Sequence, residues 1–228
     1  MRPTNQDLLE YLELATQAAT EAGAYIREIR PKNIEEKLSP ADLVTECDRA
    51  SEVLIRDFLK PTGIPILGEE LGGSENLDKT WVIDPIDGTY NFIKGSPLVG
   101  VNIALIIDDQ PVIGVTYLPY LEELYTSLRG HGVFFNGEVL PKLKESLPLE
   151  IGGSNQNARS LGAASVELAW FARGIFTSVS YDKVKPWDIA PGALFGTELG
   201  AKVSSSNSIY WDDFKISYNI KRESNTFA

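Results

Sequence analysis

Across 228 residues the chain sets 21 Lys and Arg against 32 Asp and Glu, a formal charge of −11, and so acidic a surface repels nucleic acid and anionic membranes, leaving neither as an expected main partner. With 43% hydrophobic residues and 10% aromatics it can bury the core of one large domain, or of a large lobe fused to a smaller one, and no run of eighteen apolar residues suggests a membrane span. The single cysteine, Cys47, excludes an internal disulfide. A reducing compartment suits it, the opening residues do not read as a signal peptide, and the expected location is the cytoplasm.

Small or apolar residues at helical spacing (Leu8, Leu12, Ala15, Ala19, Ala22, Ile26) predict a first helix, with Thr4 or Asn5 to cap it and Pro31 to stop it. A second helix is expected over about 43–59, ended by Pro61 and Gly63, with Val44, Val53, Ile55 and Phe58 facing the core. Short buried strands follow at 64–67 and 81–84, then longer runs at 98–107 and 112–118, joined as a hairpin through Asp108-Asp109-Gln110. The runs 123–128 and 133–135 flank a Gly130-His131-Gly132 turn, where His131 reads as structural or solvent-facing, and Asn136-Gly137 signals another tight turn. Further on, Leu161, Ala164, Leu168, Ala169 and Ala172 mark a helix with Ser160 as its cap and Gly174 past its end. The run 175–181 reads as a strand, 187–199 as a helix stopped by Gly200, and the tail from Ser204 as loop or a short strand. Helices precede sheet-forming runs without strict βαβ alternation, so the expected class is layered α+β.

The chemistry concentrates in acidic residues at the ends of these strands. In Trp81-Val82-Ile83-Asp84-Pro85-Ile86-Asp87-Gly88-Thr89 a buried strand ends in Asp84, with Asp87 three residues on. Two such carboxylates can share a hard cation, the Ile86 carbonyl can add an oxygen, and the N–H groups of Gly88 and Thr89 can meet a phosphate. Taken alone, the same pattern also fits a turn whose aspartates only cap backbone groups. Gly68-Glu69-Glu70 follows another strand, Asp188 opens a helix after Pro186-Trp187, and Asp42 and Asp48 flank the start of the second helix. By themselves Asp188 also reads as a helix cap and Glu69-Glu70 as a solvated loop. If Glu69, Asp84, Asp87 and Asp188 converge, pairs at about 4 Å repel by roughly 4 kcal/mol at an effective dielectric near 20. An oxygen-only cluster of this kind calls for Mg²⁺ or Mn²⁺.

Four pieces, Ser39-Pro40-Ala41-Asp42-Leu43-Val44-Thr45, Gly68-Glu69-Glu70, the stretch 81–89 and Pro186-Trp187-Asp188, resemble in this order the signatures of the inositol monophosphatase family. The resemblance runs from the first helix to about Gly200. It implies an α/β/α/β/α sandwich and a Mg²⁺-dependent, lithium-sensitive phosphatase acting on a small phosphorylated metabolite. One lobe, 1–140, would carry most metal ligands, and a smaller lobe, 141–228, would complete the site and could supply a homodimer contact. By position, one metal would take Glu69, Asp84 and the Ile86 carbonyl, a second Asp84, Asp87 and Asp188, and a third, weaker one Glu69 and water. Gly88 and Thr89 would bind the phosphate, Thr89 and Asp48 would orient the attacking water, and Lys37 would sit near the outer metal. Asp188, Ala164 and Tyr181 would line the substrate pocket.

The sequence departs from the family's pattern in two places. Tyr181, with Asp182 beside it, stands where inositol-cleaving members have a substrate-contacting glutamate, and the segment 140–159 is short, so the C-terminal lobe is expected to be reduced. The substrate could be inositol monophosphate, a 3′(2′),5′-bisphosphate nucleotide, histidinol phosphate or a sugar phosphate. The reading from another class is a non-catalytic regulator that keeps the fold.

Overall fold

In α1 (Asn5–Glu28) Thr4 and Asp7 exchange side chain-to-backbone hydrogen bonds as a capping box, and Ala15, Ala18, Ala19, Ala22 and Ile26 form one buried stripe. The computed structural model describes residues 3–36, 43–73, 78–144, 149–151, 158–182, 184–204 and 214–217. A two-stranded ribbon, β1 (Ile34–Glu36) and β2 (Leu43–Thr45), precedes α2 (Glu46–Leu59). The second helix therefore starts three residues later than its periodicity predicts. Thr45 caps it: its N–H donates to Asp48 Oδ2 at 2.9 Å and its Oγ1 accepts from Cys47 N at 3.1 Å, which holds 43–45 extended.

The large sheet is built from β3 (Ile66–Gly68), β4 (Gly72–Gly73) and β5 (Lys79–Asp87). After the short α3 (Thr89–Lys94) come β6 (Gly100–Ile107), β7 (Gln110–Leu118), β8 (Glu123–Leu128), β9 (Val133–Phe135) and β10 (Glu138–Val139). Among the described residues its order is β10-β9-β8-β7-β6-β5-β3-β4, antiparallel except where β3 runs beside β5. Two hairpins turn as their sequences require. Asp108 and Asp109 (φ 51° and 59°) link β6 to β7, and Asn136 and Gly137 (φ 48° and 84°) link β9 to β10, both central residues being left-handed as in a type I′ turn.

A second sheet contains β11 (Glu150–Ile151) and β12 (Ala158–Arg159). Helix α4 (Ala164–Ala172) follows, then β13 (Ser178–Tyr181), helix α5 (Pro186–Leu199), β14 (Lys202–Ser204) and β15 (Phe214–Ser217). Its order is β12-β11-β13-β15-β14. Helix α4 starts at Ala164, not near Ser160, and has no capping side chain of its own. Gly162 adopts φ 76°, which breaks any helical run from Leu161.

The layers follow from the two faces of the large sheet. Trp81, Ile83, Val101, Ile103 and Leu105 pack with α1 and α2, while the alternate residues Val82, Ala104 and Ile106 pack with α4, α5 and the second sheet. The fold is thus a layered α+β sandwich in which α1 and α2, the large sheet, α4 with α5, and the smaller sheet follow one another. Helix α5 lies between the sheets and is apolar on nearly every side. None of the described helices is long and apolar enough to cross a membrane.

Candidate active site

Three carboxylates from three elements meet at one end of the large sheet. Gly68 of β3 lies opposite Ile83 of β5, and the Glu69 N–H donates to the Ile83 carbonyl at 3.2 Å, so Glu69 leaves its strand beside Asp84. Asp188 comes from the third residue of α5, after Pro186 at the first helical position, where a proline's missing N–H costs nothing. Its carboxylate accepts the Lys185 N–H at 2.8 Å. Asn102, paired with Asp84 across β5 and β6, donates to the Asp188 carbonyl at 3.0 Å and accepts from Thr116 Oγ1 at 2.7 Å. The start of α5 is thereby tied to the strand that bears Asp84. One oxygen from each of Glu69, Asp84 and Asp188 lies within 4.8 Å of the other two.

Asp87 lies next to this trio. Residues three apart on a regular strand face opposite sides of the sheet, but β5 slips here: Asp84 pairs with Asn102 and Asp87 with Gly100. The extra residue is a bulge, with Pro85 where no ladder donor is needed, and it removes the parity that would separate the two carboxylates. The Asp87 Oδ2 accepts the Ser165 N–H in the first turn of α4, so this aspartate caps α4 from across the site.

Burial first, and then the neighbouring charges of Glu69, Asp87 and Asp188, hold the Asp84 carboxyl well above the usual carboxylate range. Asp188 is raised in the same way, by burial and then by Asp87 and Glu69. Asp87 is pushed up to about 6, chiefly by burial, with hydrogen bonding from Ser165 pulling against it. A set of oxygen donors that resists ionisation in this way is made ionisable by a hard divalent cation, so the residues fit one.

The residues that the resemblance assigns to the phosphate lie where α3 and α4 begin. Gly88 caps α3 in the left-handed region (φ 85°), and a Cβ there would lie 2.9 Å from Ala163 Cβ and 3.0 Å from the Leu98 carbonyl. Only glycine lets the Gly88–Thr89 backbone approach Ala163 so closely, and the half-buried Ala164 follows as the first residue of α4. The Thr89 hydroxyl lies 3.1 Å from both Asp48 Oδ1 and the Ile86 carbonyl, and its one proton can serve either acceptor. Asp48 is fully buried in the first turn of α2, and burial raises its carboxyl against the pull of Thr45 and Thr89.

Tyr181 donates its hydroxyl to Glu167 of α4, and Glu167 Oε1 accepts the Leu161 N–H at 2.6 Å. The tyrosine hydroxyl is raised well above its usual value by burial, then by Glu167, and by Asp87 and Asp188, which puts it within electrostatic reach of the carboxylate cluster. At the place where the resemblance implied a glutamate the chain thus presents a tyrosine, at the end of β13, backed by a carboxylate from α4, and Asp182 is exposed. Lys37, Asp42 and Lys183 lie outside the described residues. His131 is exposed and Cys47 is buried in the core beneath α2.

Sequence reading overlooked Glu52, Asn102, Ser165 and Glu167. For Glu52 a signal existed: it falls four residues after Asp48 and three before Ile55, on the buried stripe of α2.

Residues 7–151 match the model of the inositol monophosphatase family. Inositol monophosphatase 2 of Solanum lycopersicum is 35% identical over 89% of this chain and 90% of its own length. A protein of Aquifex aeolicus named fructose-1,6-bisphosphatase/inositol-1-monophosphatase is 31% identical over 86% of this chain and 85% of its own. The solved structure of a Thermotoga maritima IMPase superimposes with a TM-score of 0.81 at 27% identity, covering 91% of this chain and 92% of that one. The shared fold and the match along nearly the whole chain show that it belongs to the inositol monophosphatase family, and with it to the phosphoric monoester hydrolases.

Proposed function

We propose that this chain is a Mg²⁺-dependent phosphatase of small phosphorylated metabolites, with Glu69, Asp84, Asp87, Asp188 and the Ile86 carbonyl as its metal ligands. The observation that carries this is the convergence of Glu69, Asp84 and Asp188 from β3, β5 and α5, with oxygens within 4.8 Å of one another. Glu69, Asp84 and the Ile86 carbonyl would hold one Mg²⁺, and Asp84, Asp87 and Asp188 a second; a third would lean on Glu69 and water, and Mn²⁺ suits the same donors. Bound there, Mg²⁺ lowers the pKa of water, neutralises phosphate oxygens and stabilises a leaving alkoxide. The chain's own groups do the positioning. The Gly88 and Thr89 N–H groups point the phosphate, and Thr89, bridging Asp48 and the Ile86 carbonyl, orients the attacking water and hands its proton toward Asp48. Lys37 is assigned to the outer metal by the resemblance alone.

Tyr181, Glu167 and Ala164 face the leaving group. The relatives' names point to inositol and sugar phosphates, and with a tyrosine in place of a pocket carboxylate we expect several such esters to be accepted, with no strong preference for inositol monophosphate. The proposal extends to a division of work between 1–140 and 141–228, to a homodimer and to a cytoplasmic location, which a single buried cysteine, Cys47, suits. A non-catalytic regulator would have no use for buried, mutually repelling carboxylates.

Phosphate release from inositol monophosphate, an adenosine 3′,5′-bisphosphate, histidinol phosphate and a sugar phosphate, with and without Mg²⁺, tests this reading. Turnover should require Mg²⁺, fall at least about 100-fold in Asp188→Asn at saturating Mg²⁺, and be inhibited by lithium in the millimolar range, on the order of weak hard-cation affinities. Release from the panel that ignores Mg²⁺, or Asp188→Asn turnover near wild type, would overturn it.

A further inference from the structure

We propose that Glu52, on helix α2, is a positioning residue for the metal site: its carboxylate grips the turn that carries Glu69 and fixes how Glu69 faces the cation. The inference rests on the metal reading above. Glu52 is 0% exposed. Its Oε2 accepts the Glu70 N–H at 2.8 Å and its Oε1 the Leu71 N–H at 3.2 Å, the two amides that follow Glu69. On the other side of Glu69, Gly68 presses against the same carboxylate so closely that a Cβ there would lie 2.0 Å from Glu52 Oε1. One turn along α2, Arg56 completes the clamp. Its Nε donates to Glu52 Oε1 at 2.8 Å, and its Nη2 donates to the Gly72 carbonyl at 2.5 Å. Residues 70, 71 and 72 are thus bonded to one ion pair and Gly68 packs against it, with Glu69 between them and its own N–H on Ile83.

A carboxylate is required for this and a neutral isostere does not suffice. Oε1 receives two donors, from Arg56 and Leu71, while Oε2 receives one from Glu70. An amide in the same place would turn a donor either on the Glu70 N–H or on Arg56, leaving one of them without an acceptor in a buried site. A buried ion pair is a poor way to gain stability, since well-packed apolar groups of the same volume serve as well. What this pair does, and an apolar pair could not, is orient the backbone amides that follow a ligand, the task that partners of metal ligands perform elsewhere.

The test is Mg²⁺ titration calorimetry on the metal-free protein, with the Mg²⁺ dependence of phosphate release and thermal unfolding measured in parallel. For Glu52→Gln we expect Mg²⁺ affinity to fall about 10- to 100-fold, the Mg²⁺ needed for half-activation to rise in step, and excess Mg²⁺ to return turnover to within a few-fold of wild type. A purely structural Glu52 would lower the unfolding temperature and leave Mg²⁺ affinity unchanged, and that result overturns the proposal. Should Glu52→Gln not fold, Arg56→Lys decides: lysine keeps the charge but cannot reach Glu52 and the Gly72 carbonyl together. A weaker loss of Mg²⁺ affinity in the same direction supports the clamp, and wild-type affinity overturns it. Wild-type protein that takes up no Mg²⁺ brings down the metal reading as well, whereas wild-type uptake with unaltered variants brings down only Glu52.

Discussion

Glu167 reaches from α4 to satisfy two donors, the Tyr181 hydroxyl and the Leu161 N–H, and burial holds its carboxyl above the usual range. Removing the hydroxyl in Tyr181→Phe leaves one carboxylate oxygen buried and unpaired, at a cost of about 1–3 kcal/mol. Glu167→Gln keeps an acceptor for Leu161 and turns its amide on the tyrosine oxygen, so it should cost under about 1 kcal/mol. Urea unfolding at mildly alkaline pH, where Glu167 is most fully ionised, measures both. The opposite ranking would show that the pair does not hold this part of the pocket together. The placement of the candidate site was legible in the sequence where its residues share a few bonds of backbone, as Asp84, Asp87, Gly88 and Thr89 do, because a strand end and its turn decide where they go. It was not legible for Glu167 and Glu52, which act across space from helix faces. Glu167 sits in the apolar run between Val166 and Leu168, and nothing local says that its partner is a tyrosine fourteen residues away.

Helix α5 carries Asp188 into the site, and its seat depends on glycine. Gly192 meets Leu168 of α4, and Gly114 of β7 lets the Pro191 backbone come so near that an added Cβ would lie 3.0 Å from Pro191 Cα. At Gly192 a Cβ would be 2.5 Å from Leu168 Cβ and 2.6 Å from its Cδ1, and the Cβ cannot swing aside as a side-chain end could. Gly192→Ala should therefore force α4 and α5 apart and cost about 1–3 kcal/mol. Because Asp188 opens one helix and the Asp87–Ser165 contact opens the other, Mg²⁺ affinity should fall with it. An alanine variant with wild-type urea midpoint and Mg²⁺ affinity would show that the two helices have slack at this point. The elements themselves follow sequence patterns where short-range rules act alone. The Asp108-Asp109 and Asn136-Gly137 turns and the Gly200 stop of α5 are set by residues that tolerate φ > 0. The patterns mislead where a partner elsewhere decides. Helix α4 begins at Ala164 because Asp87 caps it from β5, and the strand expected over 175–181 shrinks to Ser178–Tyr181, the length that Phe214–Ser217 pairs with. The stretch 43–45 is strand because it pairs with Ile34–Glu36, although its apolar spacing continues that of α2.

The whole molecule is acidic, at −11, and keeps several of its carboxyls buried at one end of the large sheet, so its stability without metal should depend on pH in an unusual direction. For a carboxyl whose folded pKa lies above its unfolded value, the folded state holds the proton longer. Stability is then fully present below the unfolded pKa, near 4, and is lost as pH rises through the folded pKa. Asp87, at about 6, and Asp84 and Asp188, both raised well above their ordinary value, all act in this sense. The surface carboxyls Asp7, Glu35 and Glu46 are lowered by hydrogen bonds, so theirs is lost only as pH falls below the ordinary carboxylate range, outside the window that matters here. Protein freed of metal with a chelator should therefore unfold at progressively lower temperature between about pH 5 and about pH 8, where most proteins hold level. Mg²⁺ must displace the protons to bind, so its affinity rises over the same interval. At one fixed concentration it should raise the unfolding temperature more at the alkaline end, by an amount corresponding to about 2.7 kcal/mol once it reaches a hundred times its dissociation constant. Scanning calorimetry across that pH range, with chelator and with Mg²⁺, gives both curves, and Asp87→Asn should flatten the metal-free one near pH 6 because it removes the group that titrates there. A metal-free midpoint that climbs with pH would mean that these carboxylates are ionised and compensated within the protein itself, and that the cluster does not rely on a cation.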